Sequence, residues 1–308
     1  MEANKLHKGI KKEVKEYLIM INRDVKRLVD LFKLILKYKI VLRGKGIEFS
    51  DIRKYLPTDD ASLIDWKVSA RMSTSGKLDR LYVKVFEEEQ DLEVIIAVDS
   101  SATMDFGTQE ILKREYATLL AGSIAIAALE SGYRVSLLMF NDDIKYIPPE
   151  NSSIQTVRIL SELLLKENWK GSKNFKKMLN FIMKVSYQRS ILIIISDFIY
   201  AGDDWDDTLK SAAFKFDGLL GIMVRDLRDT YLPRDVGYLR VQNPIDGSIT
   251  EVNIDKIKEK YEKLAKQQEK KYEKLFIESN AGFIKFYTNE DYVKPIIKWF
   301  TLWSYKRK

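Results

Sequence analysis

The chain of 308 residues contains no cysteine and only one histidine, His7. Without cysteine it can form neither disulfide bonds nor thiolate metal sites, which is typical of a reducing compartment, so we expect a cytoplasmic location. Because His7 lies in the N-terminal arm, catalytic Ser–His pairs and histidine metal sites are not expected. The longest apolar stretch, residues 119–129, is shorter than the roughly 20 residues of a bilayer-spanning helix, and the charged N-terminus lacks a signal-peptide pattern.

Positive charge is concentrated at the N-terminus. The formal net charge is +7, but the first 45 residues carry 13 Lys and Arg against 5 Asp and Glu, a difference of +8, so the remainder is nearly neutral. This basic arm could meet nucleic acid, an anionic membrane surface or an acidic partner. Alternatively, it is only the solvated face of a structural helix.

Apolar residues in this arm recur alternately every four and three positions, which predicts a long amphipathic helix. The stripe consists of Val14, Leu18, Ile21, Val25, Leu28, Phe32 and Ile35. The helix must pack either on its own domain or on a second copy of the chain, which would give a homodimer.

From residue 91 the sequence alternates between apolar runs and amphipathic stretches, which is typical of βαβ organisation. The runs are nearly continuous, as in parallel strands that are covered on both faces. They are residues 92–98, 133–140, 190–196, 218–224 and 283–287. Helices are predicted at about 108–130, 152–166, 174–186, 204–213, 255–279 and 292–305.

We therefore predict an α/β fold with a doubly wound, mostly parallel sheet flanked by helices, in the manner of Rossmann-like proteins. A long N-terminal helix and a small mixed segment precede it. The predicted domains are residues 1–90 and 91–308, and the second carries a hairpin and helix inserted at about 230–280. Asp246-Gly247 is the expected hairpin turn.

Oxygen-bearing side chains follow several of the predicted strands. Asp99, Ser101 and Thr103 come after the first strand, and Asp197 comes after a later one, while Ser172 begins a helix between them. Ligands in open α/β sheets bind beyond the carboxyl ends of the strands, where carboxylates and hydroxyls suit a hard cation such as Mg²⁺. The alternative is that these residues only cap the N-termini of helices.

Residues 99–103, Asp-Ser-Ser-Ala-Thr, resemble the Asp-x-Ser-x-Ser motif of von Willebrand factor type A (VWA) domains. The metal-ion-dependent adhesion site (MIDAS) of those domains also uses a threonine from a later loop and an aspartate after the fourth strand. The resemblance implies a site for Mg²⁺, or for another divalent cation such as Ca²⁺ or Mn²⁺. The implied ligands are Asp99, Ser101, Thr103, Ser172 and Asp197.

Residues 44–71 resemble the pattern of the domain of unknown function 58 family, and with a later stretch the resemblance covers about residues 40–300. The matching positions are Gly46, Glu48, Phe49, Arg53, Tyr55, Asp59, Asp60, Ile64, Asp65, Trp66, Ser69, Ala70 and Arg71. Thr58 and Ser62 depart from it, where glycine and arginine are usual. The charged members form either a structural ion-pair network or a docking surface for a partner.

The residues argue against an enzyme. Hydrolases with a nucleophilic aspartate at a strand end need a second acid two positions later, and Ser101 stands there instead. We therefore expect a protein-interaction module that holds a metal, whose open coordination position accepts an acidic side chain of a client protein. The family resemblance implies a role as adaptor of a MoxR-type AAA+ ATPase in chaperone-like assembly. The alternatives are a nucleic-acid-associated protein that binds through the basic arm and an unfamiliar metal-dependent hydrolase.

Overall fold

The computed structural model describes residues 48–57, 59, 61–72, 81–87, 92–150, 169–186 and 189–306. Its contacts separate a compact unit of residues 34–90 from a larger unit that contains residues 91–308. The predicted N-terminal helix and the predicted helix at 152–166 lie outside the described residues, so both stay predictions.

The smaller unit is built on a two-stranded antiparallel sheet of β1, Glu48–Lys54, and β2, Tyr82–Glu87. Between these strands, a 3-10 helix at Ala61–Leu63 leads into α1, Trp66–Met72. Asp65 begins α1 by accepting hydrogen bonds from the backbone N–H groups of Lys67 and Val68, at 3.0 and 3.1 Å. An aspartate at this position satisfies N–H groups that have no partner within the helix.

The larger unit is built around a six-stranded sheet. Its strands are β3 (Glu93–Asp99), β4 (Arg134–Phe140), β5 (Ile144–Glu150), β6 (Ser190–Ser196), β7 (Gly218–Arg225) and β10 (Gly282–Tyr287). Their order across the sheet is β10-β7-β6-β3-β4-β5. All neighbouring strands are parallel except β4 and β5. The central strands are buried along their whole length, as their continuous apolar sequences predict.

Helices cover the sheet. They are α2 (Lys113–Glu130), α3 (Phe175–Val185), α4 (Asp206–Lys215), α5 (Leu227–Thr230), α6 (Ile254–Glu278) and α7 (Val293–Lys306). Buried residues of α3, α4 and α6 share one apolar cluster with side chains of the sheet. The fold class, a mostly parallel α/β sheet with flanking helices, is confirmed. None of the described helices has the length and apolar character needed to cross a bilayer.

Two features lie at the margins of the sheet. The edge strand β5 was not predicted from the sequence. Its pairing with β4 shifts register between Val135 and Leu137, opposite Pro148 and Pro149. In the 230–280 region, β8 (Tyr238–Gln242) and β9 (Ile249–Asn253) form a separate antiparallel hairpin immediately before α6.

Candidate functional site

The candidate site lies at the carboxyl ends of the adjacent strands β3 and β6. Asp99 is the last residue of β3, and Asp197 follows β6 directly. A 3-10 helix at Ala102–Met104 places Thr103 beside Ser101, with 3.2 Å between their hydroxyl oxygens. Asp99, Ser101 and Asp197 are fully buried and Thr103 is 3% exposed. Four of the five predicted ligands therefore come together, although none of them is open to solvent.

The ammonium group of Lys173 lies among these oxygen atoms. Its Nζ is 2.7 Å from an Asp99 carboxylate oxygen and 2.9 Å from the Thr103 hydroxyl, and it also forms an ion pair with Asp197. The ammonium group donates hydrogen bonds to Thr103 and Asp197 and forms an ion pair with Asp99, so three oxygen acceptors surround it. The structure thus places a positive charge among the predicted metal ligands.

A second buried lysine, Lys113, extends the cluster on the other side of Asp197. Its Nζ is 2.8 Å from the second Asp197 carboxylate oxygen and 2.9 Å from Asp229, and its side chain is 1% exposed. Positive and negative side chains thus alternate in a buried row between the end of β3 and α5. We call these five residues the charge cluster. In order along the row they are Asp99, Lys173, Asp197, Lys113 and Asp229.

Further hydrogen bonds orient the two strand-end carboxylates. Asp99 accepts from the backbone N–H of Ser101 at 2.9 Å and from the Ser196 hydroxyl at 2.5 Å. Asp197 accepts from the backbone N–H of Ile199 at 2.9 Å. Because backbone and hydroxyl donors hold both carboxylates, the lysines meet acceptors whose positions are already fixed.

The pKa values of the charge cluster show opposing effects of burial and ion pairing. Burial alone would raise the pKa of Asp197, but the charges of Lys113 and Lys173 outweigh it and hold that pKa far below its ordinary value. Burial alone would lower the pKa of Lys113, yet its two carboxylate partners raise the pKa overall. For Asp229 burial is dominant, so its pKa lies above the ordinary value despite the nearby Lys113. Asp197 and Lys113 are therefore held in their charged forms.

Ser172, the remaining predicted ligand, does not join the cluster. Its hydroxyl donates to an Asp142 carboxylate oxygen at 2.6 Å, and its backbone N–H donates to the other oxygen of that carboxylate at 3.0 Å. The preceding Gly171 has a φ of +82°, in the left-handed region that favours glycine. The following residue, Lys173, is the one that reaches the cluster, so the structure places Ser172 beside the cluster and not in it.

This arrangement does not fit a divalent cation. A Mg²⁺ ion would need the oxygen atoms of Asp99, Thr103 and Asp197 that Lys173 already contacts, and it would be repelled by the ammonium charge. Among the described residues there is also no group of three or more acidic or imidazole side chains placed to hold a metal. We therefore assign no metal-dependent step to this cluster.

In the smaller unit, part of the predicted charge set pairs within its own segment. Both outer nitrogens of Arg53 donate to Asp59 at 2.7 Å, and Asp59 also accepts from the backbone N–H of Leu56 at 2.8 Å. These hydrogen bonds lower the pKa of Asp59. Asp60 and the side chain of Glu48 lie outside the described part of the segment. The Arg53–Asp59 pair therefore supports the interpretation of these charges as a structural ion-pair network. The side chain of Trp66, by contrast, is 60% exposed.

Comparison with known proteins establishes the family. The sequence model described as "Protein of unknown function DUF58" matches residues 51–271. The chain belongs to the DUF58 family. Uncharacterized proteins of Mycobacterium bovis and Mycobacterium tuberculosis are each 25% identical to this DUF58 protein over 262 residues, which are 84% of this chain and 80% of theirs. The predicted family is thereby confirmed.

Solved structures of low identity resemble part of this DUF58 protein. The conserved hypothetical protein BatB from Bacteroides thetaiotaomicron is 15% identical with a TM-score of 0.49, over 70% of this chain and 99% of that chain. The VWA domain of SpRpn10 is 10% identical with a TM-score of 0.41, over 68% and 95% of the two chains. Both TM-scores lie below 0.5, so these similarities carry no argument about this chain.

Proposed function

We propose that this DUF58 protein is a non-enzymatic protein-interaction module that serves as an adaptor of a MoxR-type AAA+ ATPase. The role as adaptor follows from what the family resemblance implies, and the VWA-like fold is compatible with it. The observation that carries the non-enzymatic part of the proposal is the charge cluster. Its acids and bases contact one another and are almost completely buried.

A general acid, base or nucleophile must reach its substrate within hydrogen-bond distance. Asp99 and Asp197 are fully buried, and the side chains of Lys113 and Lys173 are each 1% exposed. In other α/β proteins, polar groups at the strand ends face a ligand. In this protein they contact one another and hold the loops together. This supports binding through the surrounding surface in preference to catalysis at the strand ends.

Two exposed aromatic side chains lie on loops that adjoin the cluster. Tyr200 is 59% exposed and follows Asp197 by three residues, and Phe106, 40% exposed, has its ring 5.4 Å from the Lys113 ammonium. Phe198 and Tyr200 both have φ values near +55°, in the left-handed region, and Phe198 is fully buried while Tyr200 faces solvent. Exposed aromatic residues are typical contact residues of protein interfaces. We call Phe106 and Tyr200 the rim and assign the ATPase contact to it.

The proposal is tested by measuring direct binding between the purified full chain and the MoxR-type ATPase of the same organism. Biolayer interferometry should give saturable binding. The double variant Phe106→Ala/Tyr200→Ala should weaken this binding at least tenfold, because two aromatic contacts are removed. Phe214→Ala is the matched control, since Phe214 is 94% exposed near the end of α4 and leaves the rim unchanged.

The proposed adaptor role is wrong if the wild-type chain shows no saturable binding to the ATPase. Equal weakening by the rim variant and by Phe214→Ala would refute the assignment of the rim. The same preparation should be titrated with DNA and RNA at increasing salt. Tight binding that falls steeply with salt would favour the alternative, in which the basic N-terminal arm binds nucleic acid.

A further inference from the structure

We infer that Lys173 is a built-in substitute for a divalent cation, so the strand ends of this protein are held together without metal. This inference concerns the cluster itself and does not depend on the identity of the partner. The inferred site differs from the predicted MIDAS because Lys173, and not the neighbouring Ser172, reaches the oxygen atoms.

The first support is the match between donors and acceptors. The three acceptors of Lys173 come from two neighbouring strand ends: Asp99 ends β3 and Thr103 follows it, and Asp197 follows β6. A cation at this point joins the two loops by attracting both carboxylates. The ammonium group supplies that attraction through its ion pairs with Asp99 and Asp197 and its hydrogen bond to Thr103, so these oxygens already have a positive partner.

The second support is that Lys173 has no route by which to make room for a metal. Its side chain is 1% exposed, and the loop that carries it is attached on both sides of the cluster. The backbone N–H of Ala102 donates to the Gly171 carbonyl oxygen at 3.1 Å, and Ser172 is bonded twice to Asp142. Moving the ammonium aside would leave a charged group unpaired among buried residues, which is strongly unfavourable.

The third support is the charge balance. The charge cluster contains three carboxylates against the two ammonium groups of Lys113 and Lys173. Adding a divalent cation to the intact cluster would make it net positive, and the buried Arg225, whose charge also acts on Asp197, adds to this excess. Replacing Lys173 by a neutral residue removes one of these positive charges. The oxygens of Asp99, Ser101, Thr103 and Asp197 would then be a set of carboxylate and hydroxyl ligands of the kind that Mg²⁺ and Mn²⁺ prefer.

The test compares the wild-type chain with Lys173→Thr, which removes the ammonium and supplies a hydroxyl. Thermal melts in EDTA and in millimolar Mg²⁺ or Mn²⁺ should coincide for the wild type, and electron paramagnetic resonance should detect no bound Mn²⁺. Lys173→Thr should bind one Mn²⁺ per chain, and its melting temperature should rise by about 5–10 °C at a metal concentration 100-fold above Kd.

Three controls separate the cluster from general charge effects. Lys176→Thr, at a half-exposed lysine on α3, should leave the wild-type result unchanged. In the Lys173→Thr background, Ser172→Ala should keep the gain in metal binding because the Ser172 hydroxyl is bonded to Asp142, whereas Asp99→Ala should abolish it.

Stoichiometric Mn²⁺ binding by the wild type, or a fall in its melting temperature in EDTA, would overturn the inference. A folded Lys173→Thr variant that binds no metal would also overturn it, because the oxygens would then not be a cation-binding set. If Lys173→Thr does not fold, the wild-type measurements still decide whether the cluster holds a metal.

Discussion

Lys113→Met should be among the most destabilising single substitutions in the larger unit. The side chain of Lys113 is 1% exposed and pairs with Asp197 at 2.8 Å and with Asp229 at 2.9 Å. Methionine keeps most of the side-chain volume, so the packing changes little. The loss of the positive charge, however, leaves Asp229 without its ion-pair partner and Asp197 with Lys173 alone from the charge cluster.

The size of the effect follows from this burial. Removal of one partner from a buried ion pair costs about 3–5 kcal/mol, because the remaining charge stays desolvated. With a urea dependence of about 2–3 kcal/mol per molar, this lowers the unfolding midpoint by roughly 1–2.5 M. Lys210→Met is the matched control, because Lys210 forms an exposed pair with Asp207 one turn away and such pairs contribute little.

The assay is urea unfolding followed by tryptophan fluorescence at pH 7 and at pH 5. Burial already raises the pKa of Asp229 in the folded protein, and loss of Lys113 should raise it further. A carboxyl whose folded pKa is raised binds a proton more readily in the folded state, so acidification favours folding of the variant in this range. The difference between variant and wild type should therefore shrink between pH 7 and pH 5. A midpoint for Lys113→Met equal to that of Lys210→Met would refute this account of the charge cluster.

Two other properties can be checked by unfolding experiments. A Cβ atom on Gly221 would lie 2.4 Å from the ring of Phe276, so Gly221→Ala should cost about 1–3 kcal/mol in thermal melts, and the added substitution Phe276→Leu should recover part of that loss. The lowered pKa of Asp197 gives stability that is present above the unfolded-state value of about 4 and is lost as the pH falls below it, because the folded state resists protonation. In urea unfolding at pH 3 to 7, Asp197→Asn should flatten this acid dependence, and an unchanged slope would contradict the ion-pair account.

Most of the sheet could be predicted because its central strands are apolar along their whole length. The runs predicted at 190–196 and 218–224 correspond to β6 and β7, which differ from them by at most one residue. The edge strand β5 escaped prediction because its sequence, Ile-Lys-Tyr-Ile-Pro-Pro-Glu, contains two prolines and one lysine and is neither continuously apolar nor regularly alternating. Pairing with β4, a tertiary contact, decides its conformation.

The sequence predicted where the candidate site lies but only some of the residues that form it. Residue type favoured Ser172 as a ligand, because a hydroxyl suits a metal and an ammonium does not. Which of two consecutive loop residues faces the cluster depends on backbone geometry, here on the left-handed Gly171, and the pattern of residue types does not reveal it. A signal for Lys113 was present, since a lysine in the first turn of a largely apolar helix is disfavoured by the helix dipole and needs a negative partner.

The prolines of β5 limit how the protein can assemble. Pro148 and Pro149 are two of the seven residues of β5, and neither has a backbone N–H to offer to a further strand. A peptide or a second chain that approached this margin would find the ladder of donors interrupted, and prolines at a sheet margin are a known protection against such additions. We therefore expect partners to recognise side chains of this protein and not to lengthen its sheet beyond β5.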